Sequence, residues 1–251
     1  MIVSIGRAKV SDVVAAARLM GAGLTARHEY AQVGPTGAPG GITHLDGWGL
    51  VFAADDGTLR CYRSATGITA DDAVEAFPEE TSDVIVAHVR NATNPDQIGM
   101  RFVHPIEFEI SGNPAFFFHN GFAPDILGSA CGSSDWDSLN LLEWLKPAIE
   151  ADDTTDALER RLGLLPPTTT SANFVLVQSG RLIICNWFDS STRTPEYYTM
   201  HRCDGPNRIV ISSEPIPDIE DVGTWQPLGN RTLLEIPFAT FGDHEQLRPH
   251  Y

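Results

Sequence analysis

Two short runs of the sequence end in residues that bind charged and polar groups. They are HVRNAT at residues 88–93 and FFFHNG at residues 116–121. Each run starts with apolar, strand-like residues, and buried strands often deliver polar groups to the rim of a sheet. An Arg90 guanidinium can bind a carboxylate through two parallel N–H donors, and an Asn120 amide beside the Gly121 N–H can bind a developing oxyanion. The two runs together predict a site for an amino-acid amide.

The size and charge of the chain limit what such a site can belong to. With 251 residues and 42% hydrophobic content, the chain can bury one large core, and we predict a single domain over residues 1–251. The net charge is −16 and the sequence pI is near 4.7. This sign repels phosphate backbones and anionic membrane surfaces, so neither nucleic acid nor a membrane is expected as a partner.

The cysteine pattern argues against a metal centre. The four cysteines are widely scattered and form no C-x-x-C pair, so they are predicted to be reduced thiols, with no metal and no cofactor: Cys61, Cys131, Cys185 and Cys203. Residues 1–10 lack the apolar core of a secretory signal, and no apolar run reaches the length of a membrane span. A cytoplasmic protein is therefore expected.

The elements that must position these residues are mostly strands. The predicted strands are 2–6, 48–53, 59–64, 84–89, 115–118, 173–178, 181–187, 197–203, 208–212 and 232–236. The predicted helices are 12–24, 136–148 and 153–162. Many strands in hairpins with two separated groups of helices indicate an α+β fold, in which helices cover the outer faces of stacked antiparallel sheets.

Several short motifs now form an ordered set. In chain order they are a first strand ending in Gly6, DGWG at 46–49, HVRNAT at 88–93, HP at 104–105, HNG at 119–121, SSD at 133–135 and SEP at 213–215. In this order the chain resembles a class II glutamine amidotransferase domain of the N-terminal-nucleophile hydrolase superfamily, closest to its small stand-alone members. The resemblance implies a four-layer αββα sandwich of two antiparallel sheets.

The resemblance also implies roles in binding glutamine or a γ-glutamyl small molecule. Arg90 would bind the α-carboxylate and Asp135 the α-ammonium, while Asn120 and the Gly121 N–H would form the oxyanion hole. A zwitterion needs one cation and one anion a few ångströms apart, so the Arg90 and Asp135 charges fit this ligand on physical grounds as well.

Four further residues receive supporting roles from the same resemblance. Trp48 with Gly49 would shape the pocket wall. Thr93 and His104 would support the loop that carries Arg90.

The chain departs from the family at its second residue. The family nucleophile is a cysteine that becomes N-terminal when the initiator methionine is removed, and its free α-amine is the general base. Alignment through Gly6 places Ile2 at that position, and Ile2 has no nucleophilic atom. Because initiator methionine is normally removed only before a small residue, Met1 is predicted to stay and to displace the amine. We therefore expect a glutamine or γ-glutamyl binder without thiol chemistry, or a non-catalytic subunit of an amidating enzyme.

Two other interpretations stay open at this stage. One is an active glutaminase or amidotransferase with a different start or a different nucleophile. Cys131 is near Asp135 but has no obvious base beside it, so a buried, inert thiol is the preferred interpretation of that residue. The other is a structural or interaction module with a relic site. The sequence leaves the oligomeric state open, including a homo-oligomer.

Overall fold

The structure is a computed structural model, and it describes residues 1–25, 42–77, 80–92, 94–126, 135–192, 195–216, 219 and 223–238. The strands in these ranges are β1 (Ile2–Lys9), β2 (Trp48–Ala53), β3 (Leu59–Ser64), β4 (Thr81–Val89), β5 (Ile106–Ile110), β6 (Asn113–Phe122), β7 (Ser171–Gln178), β8 (Arg181–Asn186), β9 (His201–Asp204), β10 (Ile209–Ser212), β11 (Gln226–Pro227) and β12 (Thr232–Pro237). The α-helices are α1 (Val10–Gly21), α2 (Asp137–Ile149), α3 (Thr154–Leu162) and α4 (Pro195–Tyr198).

The strands form two antiparallel sheets. The first has the order β11-β9-β10-β1-β4-β2-β3 and the second has the order β12-β8-β7-β6-β5. In the first sheet, Ile2 at the start of β1 pairs with Ala87 near the end of β4 and with Ser212 at the end of β10. The beginning of the chain therefore lies between the ends of two neighbouring strands.

The fold has four layers of secondary structure, with an apolar cluster between each layer and the next. One apolar cluster lies between α1 and the first sheet, a second between the two sheets, and a third between the second sheet and the helices α2 and α3. The predicted α+β fold with a four-layer αββα sandwich is thereby confirmed.

Alternation along the strands explains how each sheet serves two layers. In β1, Val3 and Ile5 enter the cluster between the sheets, while Ile2 enters the cluster with α1. In β6, Phe116 enters the cluster between the sheets and Phe117 faces the helices. Because successive strand residues point to opposite faces, both faces of these strands must be apolar. This requirement explains the nearly continuous apolar runs in the sequence.

Two segments differ from the elements predicted above. The predicted strand at 197–203 is instead the short helix α4 followed by β9. Pro195 at the first position of α4 has a backbone angle suited to a helix start, which explains the difference. The prediction also omitted β5, although residues 106–110 alternate apolar and acidic. This strand forms a hairpin with β6 through Ser111 and Gly112, which both have positive φ.

The backbone of Gly49 on β2 touches the backbone of His104. A Cβ built on Gly49 would lie 1.9 Å from the His104 carbonyl oxygen and 3.0 Å from Pro105 Cδ. Because the nearest obstacle is backbone, it cannot rotate away. This contact holds the segment that carries His104 against the first sheet.

We expect Gly49→Ala to lower the free energy of unfolding by about 1–3 kcal/mol, because the added methyl group must displace this backbone. Gly163→Ala is the matched control, since Gly163 has helical angles and its nearest neighbour would be 3.5 Å from the new Cβ. Urea unfolding followed by circular dichroism measures both. Equal midpoints for the two variants would contradict the proposed contact.

Candidate functional site

A cavity of about 430 Å³ opens at the end of the sandwich where β1 begins. The ends of β4 and β10 supply one wall, with Met1, His88, Arg90, Ser213 and Glu214. The end of β6 supplies the facing wall, with His119, Asn120, Gly121 and Phe122. The remaining wall comes from His104 and from the start of α2, with Asp135, Trp136, Asp137 and Ser138. The antiparallel pairing of β1 with β4 and β10 brings Met1 and the segments that follow Val89 and Ser212 to one end of the first sheet.

Arg90 lies on the wall of this cavity directly after β4. Its backbone N–H donates to the Gly47 carbonyl at 2.9 Å, and its carbonyl accepts from the Asp46 N–H at 3.0 Å. The side chain is only 7% exposed, and within the described residues its Nη1 has no hydrogen-bond partner. Burial lowers the pKa of Arg90, while Asp46 and Asp137 oppose that shift. A guanidinium keeps its charge under these conditions, so Arg90 presents a buried cation with an unsatisfied donor.

Asn120 and Gly121 lie on the wall of the cavity that faces Arg90, near the end of the pairing between β6 and β7. They pair with Asn173 and Ala172, and the Asn120 carbonyl accepts from Ser171 Oγ at 3.2 Å. A Cβ on Gly121 would lie 2.1 Å from the Ser171 carbonyl oxygen. Only glycine therefore fits at this position beside Asn120.

Two carboxylates lie at the start of α2. Asp135 is 57% exposed and pairs with Arg101 at 2.8 Å, and its carbonyl accepts from the Gln97 side chain. Asp137 is half-buried and accepts from the N–H groups of Ala123 at 3.1 Å and Ser138 at 2.9 Å. Both carboxylates line the cavity that contains Arg90.

The N-terminal amine of Met1 is buried in the same cavity. It donates to Ser213 Oγ at 2.9 Å, and the Met1 carbonyl accepts from the Ser213 N–H at 3.0 Å. Burial lowers the pKa of this amine from 8.0 to about 5, against the opposing charge of Glu214. At neutral pH the group is therefore an uncharged amine with a lone pair. The amine belongs to the residue before the expected nucleophile position, and it lies in the cavity with Arg90 and Asn120.

Ile2 does not line the cavity. Its side chain is fully buried and faces α1, because Met1 and Ile2 point to opposite faces of the first sheet. The residue that the sequence resemblance aligned with the family nucleophile is therefore part of the core. Within the described residues, no cysteine lines the cavity. Cys131 lies outside the described residues.

Trp48 and Gly49 do not line the cavity either. Trp48 is fully buried on the α1 side of β2, where its indole N–H donates to Asp71 at 2.9 Å and its ring packs 4.9 Å from that of Tyr62. Gly49 acts through its backbone contact with His104. Thr93 lies outside the described residues. His104 does line the cavity, so the position expected to support Arg90 is part of the wall.

Four histidines surround the inner part of the cavity: His44, His88, His104 and His119. His119 Nδ1 lies 3.0 Å from Ser138 Oγ and its Nε2 lies 3.3 Å from the Ser171 carbonyl. The His104 ring lies 4.6 Å from that of His88 and 5.3 Å from that of Trp136, and neither of its nitrogens has a hydrogen-bond partner among the described residues.

Burial lowers the pKa of all four histidines. They are therefore neutral rings that can donate or accept a hydrogen bond, and not additional cations. The described residues contain no group of three histidine, cysteine or acidic side chains placed to hold a metal ion.

Sequence reasoning noted the SEP motif at 213–215 without assigning a role to Ser213 or Glu214. It also missed the position of the Met1 amine. Pairing across more than 200 residues brings Met1 to Ser213, and no local pattern reports such a contact. The order of the family motifs was the signal that could have indicated it.

Comparison with known proteins agrees with the fold described above. The structure matches that of glutamine phosphoribosylpyrophosphate (PRPP) amidotransferase from B. subtilis, with a TM-score of 0.62 and 15% identity over 94% of the chain. It also matches a glutamine aminotransferase class-II domain protein from Silicibacter pomeroyi, with a TM-score of 0.53, 12% identity and 94% coverage of both chains. The chain has the fold of a class II glutamine amidotransferase.

In sequence, the amidotransferase-like chain is similar to the γ-glutamyl-hercynylcysteine sulfoxide hydrolase of Mycolicibacterium smegmatis. The two are 27% identical over 201 residues, which are 78% of this chain and 79% of the hydrolase. The chain spans only 46% of the B. subtilis PRPP amidotransferase. No family model matches the chain. Among its described residues, no helix is both long and apolar enough to span a membrane.

The buried neutral groups of the cavity predict how stability depends on pH. Between pH 8 and about pH 5, the unfolded chain protonates its amine but the folded chain does not. Below about pH 6.5, the histidines add to the difference in the same direction. Stability rises with pH wherever the unfolded state binds more protons.

The free energy of unfolding should therefore fall as the pH is lowered from 8 to 5. Urea unfolding at several pH values across this range measures it. The carboxylates with lowered pKa values, such as Asp71 and Asp189, lose their contribution only below about pH 3.8 and do not interfere. A constant or increasing stability on acidification would contradict neutral burial of the cavity groups.

Proposed function

We propose that the cavity binds L-glutamine or a γ-glutamyl compound without thiol-based hydrolysis of the amide. The observation that carries the proposal is Arg90, a buried cation on the wall of a cavity that also contains carboxylates. A buried charge is strongly stabilised by a hydrogen-bonded counter-ion. The α-carboxylate of an amino acid supplies such a counter-ion, and its α-ammonium then lies within reach of the acidic wall.

The α-ammonium has two candidate partners on that wall. Asp135 is the residue that the family resemblance assigns, and it already pairs with Arg101. Asp137 lies deeper and contributes to the electrostatic environment of Arg90. We assign the ammonium to Asp135, because an exposed ion pair with Arg101 is weak and can be shared with a ligand at small cost.

The facing wall suits the amide end of the ligand. Asn120 and Gly121 lie near the end of β6, between His119 and Phe122, and the uncharged Met1 amine lies across the cavity. These groups can donate to and accept from a carboxamide. The volume of about 430 Å³ falls within the range of about 300–1,000 Å³ for small-molecule sites. It accommodates a γ-glutamyl compound larger than glutamine.

The absence of a thiol on the described walls supports binding without the family's covalent chemistry. Ile2 is in the core, and the thiol pKa of buried Cys185 is raised well above its ordinary value. If the cavity only binds its ligand, the protein would act as a sensor of the ligand or as a non-catalytic subunit of an amidating enzyme.

Calorimetric titration with L-glutamine tests the binding role of Arg90. We expect Arg90→Gln to weaken binding by at least about 30-fold, because removing one partner of a buried charge pair costs about 2–5 kcal/mol. Arg7→Gln is the matched control, since Arg7 is half-exposed and pairs with Asp55 at 2.8 Å outside the cavity. An unchanged affinity in Arg90→Gln, or no heat with millimolar L-glutamine in the parent protein, would overturn the proposal.

A pair of ligand analogues tests the ammonium site. Glutaramate keeps the carboxylate and amide of glutamine but lacks the ammonium group. We expect Asp135→Asn to weaken L-glutamine binding about tenfold or more and to leave glutaramate binding nearly unchanged, because only the former ligand loses an ionic partner. Asp137→Asn is the comparison variant. A selective loss in Asp137→Asn alone would transfer the ammonium site to that residue.

A further inference from the structure

A serine and a terminal amine lie at hydrogen-bond distance inside the cavity. The Met1 nitrogen is 2.9 Å from Ser213 Oγ, and Ser213 is 9% exposed and lines the cavity. A backbone hydrogen bond of 3.0 Å from the Ser213 N–H to the Met1 carbonyl fixes the two residues relative to each other. Because this backbone hydrogen bond does not involve the serine side chain, it also holds the two residues together in Ser213→Ala.

We propose that Ser213 Oγ is a nucleophile toward the γ-amide of a bound γ-glutamyl compound and that the Met1 α-amine is its base. This inference rests on the binding function proposed above. It assigns a hydrolytic activity to an oxygen nucleophile on β10 in place of a thiol on β1.

The chemistry requires an activated hydroxyl. A serine is a weak nucleophile unless a base at about 2.6–3.2 Å accepts its proton. The Met1 nitrogen lies at this distance; in the structure it donates to Ser213 Oγ, which in turn donates to the Met1 carbonyl at 3.3 Å. Rotation of the hydroxyl reverses the first hydrogen bond, and the lone pair of the amine is available at neutral pH because burial lowers its pKa to about 5. Glu214, which accepts from Thr25 Oγ1 at 2.8 Å, lies beside the pair and favours the ammonium that forms when the proton is transferred.

The position of Ser213 also suits attack on a carbonyl. Ser213 follows a strand of the first sheet, while Asn120 and Gly121 end a strand of the second sheet. A carbonyl bound between the sheets can therefore expose its carbon to Ser213 and its oxygen to Asn120 and Gly121. The attacking oxygen meets the carbonyl carbon and the donors meet the carbonyl oxygen, so residues from two walls of the cavity can fill the two roles.

A second serine, Ser138, also lines the cavity. Ser138 Oγ lies 3.0 Å from His119 Nδ1, and His119 directly precedes Asn120 on β6. Ser138 therefore has a histidine ring as its neighbour, whereas Ser213 contacts the terminal amine. Ser138 provides a direct comparison for the experiment.

The reaction balances in two halves. In the first, the Oγ–H proton moves to the Met1 nitrogen, the Oγ–C bond forms, and the carbonyl oxygen becomes an oxyanion facing Asn120 and Gly121. The C–N bond then breaks, and the leaving amine takes the proton from the Met1 ammonium, which leaves a γ-glutamyl ester on Ser213. In the second half, water gives a proton to the amine and attacks the ester carbon, and the C–Oγ bond breaks as Oγ regains a proton. The products are glutamate and a free amine, or ammonia when glutamine is the substrate.

The test uses hydrolysis of γ-L-glutamyl-p-nitroanilide, measured by release of p-nitroaniline. Each protein is released from a fusion by a protease, so that it starts at Met1. We expect Ser213→Ala to lose at least 100-fold in rate while it still binds L-glutamine in calorimetry. Ser4→Ala is the matched control, because Ser4 is a buried serine on β1 that bonds Arg208 and does not line the cavity. Its rate should equal that of the parent protein.

The base is tested by extending the chain. A protein that keeps one additional glycine before Met1 has an amide in place of the amine, and we expect the same loss of rate with L-glutamine binding still measured. In the parent protein the rate should rise with pH through about pH 5 and then stay level, as expected for a base that acts when deprotonated. Mass spectrometry after acid quenching should find the γ-glutamyl ester on residue 213.

Four results would overturn this inference. They are a parent protein that binds L-glutamine but releases no p-nitroaniline, full activity in Ser213→Ala, loss of activity in Ser138→Ala alone, and unchanged activity in the glycine-extended chain. If instead neither L-glutamine nor the anilide binds the parent protein, the proposed binding function has failed as well.

Discussion

The site depends on the antiparallel pairing that holds the start of β1 between the ends of β4 and β10. Because both neighbours run opposite to β1, Met1 meets the segments that follow Val89 and Ser212. A shift of one residue in this register would exchange the two faces of β1, and Val3 would face α1. The apolar layers on both faces oppose such a shift. The same burial that stabilises the sandwich therefore determines where the amine and Ser213 lie.

Burial also determines the charge state of the cavity. The chain is strongly acidic overall, yet the inner wall contains histidines and an amine whose pKa values are lowered by desolvation. Arg90 behaves differently, because a delocalised guanidinium resists deprotonation. The wall thus combines neutral hydrogen-bonding groups, a buried cation and carboxylates. This combination complements a zwitterionic ligand that carries a neutral amide.

The amidotransferase fold is present at only 12–15% identity to the solved structures described above. A fold by itself does not specify an activity, so the chemistry must be argued from the residues of the cavity. The cavity contains a cation, an acidic wall and a strand-end amide, which are the groups that the proposed γ-glutamyl ligand requires, while the second residue of the chain is part of the core. The thiol mechanism of the family and the oxygen mechanism proposed above would use the same binding groups and would differ in which strand supplies the attacking atom.

Local patterns in the sequence were sufficient for most elements and for the principal charged group. The hairpin of β2 and β3 and the helices α2 and α3 follow from apolar periodicity and from turn residues such as Gly57, while the four-layer arrangement was implied by the family resemblance. Arg90 and Asn120 were identifiable because each interrupts an apolar run at a strand end. The same patterns did not show that Trp48 faces α1, since a strand buried on both faces has no polar alternation to indicate which side is which.

The sequence by itself determined the order of the elements, the layered architecture and the residue types that bind charge. Only the tertiary structure decided which of these residues share a cavity. Met1 and Ser213 are 212 positions apart, and their contact exists because three strands pair in one register. Long-range pairing depends on the free energy of the whole sandwich, so no segment encodes it alone.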